Sequence, residues 1–89
     1  MATPALLVKD NIMKAIIYSK PDCGFCVKAK EFMVGADIEY DEYTVGPDIL
    51  WETLQARAPI EITTVPQIWI DGQYVGGYTD LVKWYSENL

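Results

Sequence analysis

The 89-residue chain is 51% hydrophobic and has a formal net charge of −6, so it is one small domain without the clustered basic residues that bind nucleic acids. It contains two cysteines and no histidine, which excludes Cys–His catalysis, mixed Cys/His zinc sites and a secreted scaffold of disulfides. No apolar run reaches membrane-spanning length and we find no signal peptide, so we expect a cytoplasmic protein that contacts neither membranes nor nucleic acids.

The sequence divides into a short leader and one folded unit. Thr3-Pro4 resists regular structure, and we interpret residues 1–12 as an N-terminal extension of unclear role and residues 13–89 as the domain. Within the domain, β-rich and helical segments alternate in the order β-α-β-α-β-β-α. We expect strands at about residues 14–19, 38–44, 65–70 and 73–75, and helices at about residues 24–34, 49–57 and 79–88.

Turn residues and helix caps mark the ends of these elements. Asp71-Gly72, between two β-rich runs, is a strong hairpin signal. Asp48 is the expected N-cap of the second helix and Thr79 that of the third, because both side chains accept hydrogen bonds from unpaired N–H groups. A right-handed βαβ half joined to the hairpin predicts an α/β fold, with a four-stranded mixed sheet flanked by helices. We assign Trp69 and Trp84 to its core.

The segment Cys23-Gly24-Phe25-Cys26 holds both cysteines and opens the first predicted helix. One thiol therefore lies at a helix N-terminus, where unpaired N–H groups and the helix dipole favour negative charge. Such surroundings lower a thiol pKa from about 8.5 into the range of about 3.5–7.5, and the thiolate is the reactive form. The motif predicts redox chemistry.

Three segments together resemble the glutaredoxins, the small glutathione-dependent members of the thioredoxin-fold superfamily. They are Cys23-Gly24-Phe25-Cys26, Thr64-Val65-Pro66-Gln67 and Gly76-Gly77-Tyr78-Thr79-Asp80. The resemblance covers about residues 13–89, includes the order and spacing of the elements, and is greatest to short bacterial dithiol members. It implies a thioredoxin-like fold and a glutathione-dependent oxidoreductase that reduces protein disulfides and glutathione mixed disulfides.

The resemblance also implies a role for each cysteine. Cys23 would attack the disulfide between a substrate protein and glutathione, and a second glutathione would then release it. Cys26 would be the resolving thiol of a two-thiol route for protein disulfides. The alternatives are a buried, inert Cys23 and a Cys26 that only faces the core. Lys20, three residues before Cys23, adds positive potential.

By the same resemblance, glutathione lies between Cys23 and the start of the last helix. Pro66 is expected to follow a cis peptide bond and to leave the backbone of Val65 free to pair with glutathione. The alternative is an ordinary edge-strand proline. Asp80 would bind the ammonium of the γ-glutamyl part, while Thr79 and backbone N–H groups bind its carboxylate. The other expected contacts are Lys20 for the glycyl carboxylate, Phe25, Thr64, Gly77 and Tyr78, with Gln55 and Arg57 as further candidates.

Gly24 stands where dithiol members of the family often have proline. Members that lack this proline can hold a [2Fe–2S] cluster between two protomers, so the alternative function is a glutathione-ligated cluster carrier or sensor with Cys23 as the protein ligand. Otherwise we expect no metal, a monomer, and glutathione with disulfide-containing or glutathionylated proteins as partners. A thioredoxin-like protein served directly by a reductase is a second alternative, and the carboxylate site expected at Thr79 and Asp80 argues against it.

Overall fold

The computed structural model describes residues 13–88, and its elements follow the predicted order. The elements are β1 (Lys14–Ser19), α1 (Gly24–Gly35), β2 (Glu39–Thr44), α2 (Trp51–Arg57), β3 (Gln67–Ile70), β4 (Gln73–Gly76) and α3 (Tyr78–Glu87). None of the helices in this part of the chain is long and apolar enough to cross a membrane. The extension predicted over residues 1–12 lies outside the described residues and stays a prediction.

The strands form one mixed sheet in the order β2-β1-β3-β4. β1 runs parallel to β2 and ends at the pair Ser19–Thr44. β3 runs antiparallel to β1, with Gln67 opposite Tyr18, and antiparallel to β4. The hairpin turn Asp71-Gly72 has φ values of 51° and 81°, as a two-residue hairpin loop requires. The end of β1 and the start of β3 therefore meet at one end of the sheet, where α1 begins.

Alternation along β1 divides the interior into two apolar clusters, one on each face of the sheet. The larger cluster joins the sheet to α1 and α3 and contains Ala15, Ile17, Ala29, Met33, Ile38, Ile68, Ile70 and Leu81. The smaller cluster joins Tyr18 to Leu54 of α2 and to Ile62. As predicted, Trp84 packs against the larger cluster and Trp69 against the smaller. Each buried Ile, Leu or Met contributes about 1.5–3 kcal/mol, so the packing of Met33 against the sheet stabilises the position of α1.

Two predicted helix caps are wrong. The Asp48 carboxylate accepts a hydrogen bond from the Thr44 N–H (2.7 Å), and α2 begins only after Leu50. The turn between β2 and α2 thus uses this carboxylate before the helix starts. Similarly, α3 begins after Gly77, and Thr79 lies inside its first turn. The N-cap is Gly77, and its N–H is bound by the carboxylate of the residue after Thr79.

Candidate active site

Cys23 caps α1 with its own sulfur. After β1 ends at Ser19, a turn in which Asp22 has a positive φ (56°) brings Cys23 to the start of the helix. Its Sγ accepts a hydrogen bond from the Cys26 N–H (3.1 Å), and its carbonyl accepts one from the Val27 N–H (3.2 Å). The sulfur therefore occupies the position at which a helix N-terminus stabilises negative charge.

The two cysteines form a disulfide, with their Cα atoms 5.2 Å apart. Cys23 is 9% exposed, whereas Cys26 is 2% exposed and packs beneath it in the first turn of α1. A molecule arriving from solvent therefore reaches Cys23 more readily than Cys26. This difference supports the predicted division between an attacking and a resolving thiol.

Val65 and Pro66 lie beside the sulfur of Cys23. The Val65–Pro66 peptide bond is cis, as the family resemblance implies. Pro66 is buried and immediately precedes β3, which is an interior strand, so it is not an edge-strand proline. The Val65 carbonyl oxygen lies 3.8 Å from the Cys23 Sγ. The backbone of this segment therefore borders the reactive atom.

Two side chains that sequence reasoning missed support this segment. The Tyr74 hydroxyl donates to the Gln67 Oε1 (2.6 Å), and the Gln67 Nε2 donates to the Thr64 carbonyl (2.9 Å). Burial, and to a lesser degree the negative charge of Asp80, raise the pKa of Tyr74, so its hydroxyl remains a donor. The hairpin register could have predicted the contact between Gln67 and Tyr74. Tyr74 pairs with Trp69, and Gln67 lies two positions before Trp69, so its side chain is on the same face of the sheet.

The start of α3 is built from two glycines and one carboxylate. Gly76 has a φ of 120°, and a Cβ there would lie 2.5 Å from the Asp80 Oδ2, so only glycine fits. The same Asp80 oxygen accepts a hydrogen bond from the Gly77 N–H (3.1 Å), and the Leu81 N–H donates to the Gly77 carbonyl (2.9 Å). Gly77, rather than the predicted Thr79, is therefore the N-cap of α3, with its N–H bound by the carboxylate of Asp80 at the third helical position, and Thr79 stays exposed.

These segments enclose a groove of about 300 Å³, which we call the cis-proline groove. Its lining consists of Phe25, Thr64, Val65, Pro66, Gly77, Tyr78, Thr79 and Asp80. All of these residues are among the predicted glutathione contacts. The Phe25 and Tyr78 rings lie 6.1 Å apart, so α1 and α3 each contribute one aromatic wall. The groove offers an extended ligand a backbone carbonyl and a helix N-terminus.

A larger depression of about 630 Å³ lies on the β2 side of the CxxC motif, and we call it the β2-side depression. Its lining consists of Ser19, Lys20, Pro21, Asp22, Cys23, Gly24, Cys26, Val27, Lys30, Glu42 and Thr44. Lys20 lines this depression together with both cysteines and does not line the cis-proline groove. The structure thus brings eight of the eleven predicted site residues together in the groove and the other three together in the depression.

Ser19, Glu42 and Lys30 form a hydrogen-bonded cluster in the β2-side depression. The Ser19 Oγ donates to the Glu42 Oε2 (2.6 Å), and the Lys30 Nζ donates to the same oxygen (3.0 Å). These donors, the Ser19 hydroxyl first and Lys30 second, hold the pKa of Glu42 below its ordinary value of 4.5. Sequence reasoning missed this cluster, because its members come from three elements that only the fold brings together.

Gln55 and Arg57 make hydrogen bonds within the fold and line neither the cis-proline groove nor the β2-side depression. The Gln55 side-chain amide donates to the Ile60 carbonyl (2.8 Å) and accepts from the Ile62 N–H (2.9 Å), which closes the loop after α2. The Arg57 Nη1 donates to the Tyr18 hydroxyl (2.7 Å). Neither residue lines the groove or the depression, so the structure does not bring them to the predicted ligand.

Known proteins resemble this chain in both sequence and fold. The glutaredoxin family model matches residues 15–75. Glutaredoxin 1 of Escherichia coli is 36% identical over 83 residues, which cover 86% of this chain and 98% of that protein. The structure of oxidised E. coli glutaredoxin matches with a TM-score of 0.71 at 35% identity, over 85% of this chain and 96% of that one. A buckwheat glutaredoxin–glutathione complex shares the fold, with a TM-score of 0.69 at 20% identity, over 97% of this chain and 78% of that one.

The region matched by the family model contains residues of the candidate active site as well as the elements of the fold. Both Cys23-Gly24-Phe25-Cys26 and Thr64-Val65-Pro66 lie within the residues that the family model covers, and Gly76-Gly77 follows immediately. The four-stranded mixed sheet and three helices have the order and arrangement of thioredoxin-like glutaredoxin structures. The chain therefore belongs to the glutaredoxin family, whose members are thiol–disulfide oxidoreductases.

Proposed function

We propose that this protein reduces glutathione mixed disulfides and protein disulfides, with glutathione as the reductant. The observation that carries the proposal is the position of the Cys23 sulfur. It caps α1 and lies 3.8 Å from the carbonyl of Val65, at the border of a groove that ends on a helix N-terminus. The buckwheat glutaredoxin of the same fold was solved as a glutathione complex, which supports the choice of ligand.

In the first step, the Cys23 thiolate attacks the glutathione sulfur of a protein–glutathione disulfide. A new bond forms between Cys23 and glutathione, the original S–S bond breaks, and the protein thiolate leaves and takes a proton from water. A second glutathione thiolate then attacks the glutathione sulfur on Cys23. This releases glutathione disulfide and restores the Cys23 thiolate, which the N-terminus of α1 stabilises as nucleophile and as leaving group.

For a disulfide between two protein sulfurs, Cys26 completes the reaction. Once Cys23 is bonded to one protein sulfur, the Cys26 thiol loses its proton and attacks the Cys23 Sγ. The product is the Cys23–Cys26 disulfide seen in the structure, and the remaining protein thiolate leaves. Two glutathione molecules then reduce this disulfide and form one glutathione disulfide. Burial of Cys26 keeps it from competing for substrate in solution.

The cis-proline groove fits glutathione as an extended peptide. The cysteinyl part would pair with the backbone of Val65, in the manner of an added strand. The γ-glutamyl ammonium would contact Asp80, and the γ-glutamyl carboxylate would contact Thr79 and the first N–H groups of α3. Lys20, which lies outside the groove and beside Cys23, would reach the glycyl carboxylate. The walls would be completed by Phe25, Thr64, Pro66, Gly77 and Tyr78.

The proposal is tested by a glutathione-coupled assay on a small mixed disulfide of glutathione. We expect Cys23→Ser to lower the rate by at least about 10³-fold, because the attacking atom is removed. Cys26→Ser should keep the rate on this substrate within about tenfold of wild type, because the one-thiol route does not use it. The same variant should lose the reduction of a disulfide within a protein.

Circular dichroism of each variant controls for folding in this assay. Activity that survives in Cys23→Ser and disappears in Cys26→Ser would show that the two roles are reversed. A folded wild-type protein without glutathione-dependent activity would overturn the proposed function. Activity with thioredoxin reductase in place of glutathione would support the thioredoxin-like alternative instead.

The alternative [2Fe–2S] function has less support from the site. Within residues 13–88, no group of three or more His, Cys, Asp or Glu side chains is placed to hold a metal ion. Cys23 is the more exposed of the two cysteines, at 9% against 2%, so one chain offers one readily accessible thiolate. A cluster with thiolate ligands would need a second chain and two glutathione molecules. Anaerobic purification tests this alternative, because a brown, glutathione-dependent dimer would favour it.

The proposal also includes a compartment, a domain and an oligomeric state. A pair of catalytic thiols needs a compartment that keeps them reduced, so we place the protein in the cytoplasm. We propose residues 13–89 as the catalytic domain and a monomer as the active form. Gel filtration at assay concentrations checks the monomer, and a chain that starts at Met13 checks the domain by retaining the activity.

A further inference from the structure

The β2-side depression continues into a second hollow along α1. This hollow has a volume of about 350 Å³ and is lined by Val27, Lys30, Glu31, Val34 and Tyr40. The two cavities share Val27 and Lys30, so they form one elongated surface, which we call the α1–β2 trough. In the proposed reaction with glutathione, only Cys23, Cys26 and Lys20, all at one end of the trough, have a role.

The trough follows the seam between α1 and the edge strand β2. From β2 it takes every second residue, Tyr40, Glu42 and Thr44, and from α1 it takes residues of one helical face. Cys23 lies at one end, and Val34 lies eleven residues further along at the other. At 1.5 Å per helical residue, this distance is about 17 Å. An extended polypeptide covers it in about five residues.

The hollow at the Val34 end of the trough is open, and three of its five lining residues are apolar, the other two being Lys30 and Glu31. Val34 is 66% exposed and Val27 is 47% exposed, and Tyr40 lines the same hollow. Neighbouring apolar side chains that remain in solvent mark a contact surface more often than isolated ones do. Of these residues, Val27 also lines the β2-side depression that contains Cys23 and Cys26.

The middle of the trough is polar but nearly neutral in charge. The Glu42 carboxylate there is neutralised by the Lys30 ammonium at 3.0 Å and also accepts the Ser19 hydroxyl. Including this pair, two lysines and three acidic residues line the trough: Lys20, Lys30, Asp22, Glu31 and Glu42. A segment without an excess of acidic residues therefore meets little repulsion, although the whole chain has a net charge of −6.

Glutathione does not match this surface. An extended tripeptide spans about 10 Å, so it covers little more than half of the trough. Glutathione also has no apolar side chain to place between Val34 and Tyr40. A ligand that filled the trough would therefore be longer than glutathione, carry an apolar side chain, and present a sulfur at the Cys23 end.

We propose that the α1–β2 trough binds the polypeptide that flanks the reacting cysteine of a protein substrate, in an extended conformation. An apolar side chain four or five residues from that cysteine would pack between Val27, Val34 and Tyr40. The inference rests on the proposed function, because it assigns the protein half of the substrate to one side of Cys23 and glutathione to the other. The trough then selects among protein substrates, while the cis-proline groove does not.

The experiment uses two peptides, each glutathionylated on its one cysteine. One peptide has Leu at the fourth and fifth positions on both sides of the cysteine, and the other has Ser at these positions. We expect wild type to show a roughly tenfold lower KM for the Leu peptide. Val34→Asp should remove this preference, Val34→Leu should keep it, and neither should change the rate on a small mixed disulfide.

Val82→Asp is the matched control, because Val82 is an exposed apolar residue on α3 (37%) that does not line the trough. It should leave the preference for the Leu peptide unchanged. Fluorescence anisotropy with the same two peptides, their cysteine replaced by serine, measures binding without catalysis. Wild type should bind the Leu form more tightly, and Val34→Asp should bind both forms equally.

The outcomes separate the two proposals. Equal binding and equal KM of both peptides in wild type would overturn the trough inference while activity on the small mixed disulfide upholds the proposed function. A change in the KM for glutathione in Val34→Asp would overturn the inference too, since the trough would then hold glutathione. Inactivity on the small mixed disulfide would overturn the proposed function, and the anisotropy data would still decide whether the trough binds peptides.

Discussion

The two cavities beside Cys23 are built from different parts of the chain. The cis-proline groove presents backbone groups, namely the carbonyl of Val65 and the helix start at Gly77, beside the side chains of Phe25, Tyr78 and Asp80. The α1–β2 trough presents mainly side chains of α1, of β2 and of the turn before α1. A surface of backbone groups changes little when side chains are replaced, so it suits a ligand that is always the same. A surface of exposed side chains can change without altering the fold, so it suits partners that differ. One sulfur can therefore serve a constant and a variable ligand.

The largest effect is expected from a substitution that disturbs the backbone of the cis-proline groove. Gly76→Ala would place a Cβ 2.5 Å from the Asp80 Oδ2, at a φ of 120° that L residues rarely adopt. We expect the free energy of unfolding to fall by about 2–3 kcal/mol. Urea denaturation measures this change, and the KM for glutathione should rise at the same time because the start of α3 shifts.

Gly35→Ala is the control for this substitution. Gly35 ends α1, and a Cβ there would meet no atom within 4 Å. The change should be neutral or stabilising by up to about 1 kcal/mol, because alanine favours a helix more than glycine does. Equal effects of the two substitutions would contradict the assignment of Gly76 to a backbone-built site.

A smaller effect is expected from a substitution at Asp80 that removes the negative charge of the groove and leaves its structure in place. Asp80→Asn removes the negative charge but keeps an oxygen that can accept the Gly77 N–H, which Asp80 now accepts at 3.1 Å. We expect the KM for glutathione to rise about tenfold, while the free energy of unfolding falls by less than about 1 kcal/mol. Steady-state kinetics with varied glutathione measures the first quantity, and urea denaturation measures the second.

Asp48→Asn is the matched control for Asp80→Asn. Its carboxylate also accepts a backbone N–H, that of Thr44 at 2.7 Å, but it does not line the cis-proline groove. The KM for glutathione should therefore stay at its wild-type value. If both variants raised this KM equally, the proposed ammonium contact of Asp80 would be wrong.

The smallest expected effect is a change in the free energy of unfolding that depends on Glu42, whose side chain lines the α1–β2 trough. The Ser19 hydroxyl and Lys30 lower the pKa of Glu42, so its carboxylate stabilises the fold above pH 4.5, and this contribution is lost as the pH falls through the lowered folded pKa. The Glu42 side chain is 34% exposed, so we expect less than about 1 kcal/mol. Urea denaturation of wild type and Glu42→Gln should show a difference at pH 7 that shrinks at about pH 3.

Ser19→Ala tests the cause of this pH dependence. The Ser19 hydrogen bond is the largest single influence that lowers the pKa of Glu42, and Lys30 adds a hydrogen bond and its charge, so removal of the hydroxyl should weaken the dependence attributed to Glu42. A stability difference between wild type and Glu42→Gln that is the same at both pH values would contradict the assignment.

The fold was largely predictable because its signals are local. Asp71-Gly72 specifies the hairpin through its positive φ values, and the CxxC motif follows a β-rich run and opens an apolar helix. The caps at Asp48 and Thr79 could not be predicted, because neighbouring acceptors compete for the same N–H groups. The outcome depends on backbone geometry, which places the Asp48 carboxylate in a turn and makes Gly77 the N-cap of α3, with its N–H bound by Asp80.

The candidate site likewise has one part that local sequence signals predict and another that they do not. The lining of the cis-proline groove was predictable from three contiguous segments that resemble one family. The support that Gln67 and Tyr74 give to Thr64, and the trough between α1 and β2, depend on contacts between elements. An exposed valine such as Val34 has the same sequence signal as a buried one, so only the packing of α1 distinguishes them.

In the proposed mechanism, the sulfur that caps α1 is also the atom whose bonding changes during each turnover. A helix cap is usually a permanent oxygen, but this one alternates between a charged thiolate and a neutral disulfide, and a charged acceptor binds an N–H more strongly. The hydrogen bond from the Cys26 N–H to the Cys23 Sγ, 3.1 Å in the oxidised protein, should therefore tighten on reduction. The amide proton of Cys26 then becomes an internal reporter, whose chemical shift and hydrogen-exchange rate follow the oxidation state of the protein without any added label.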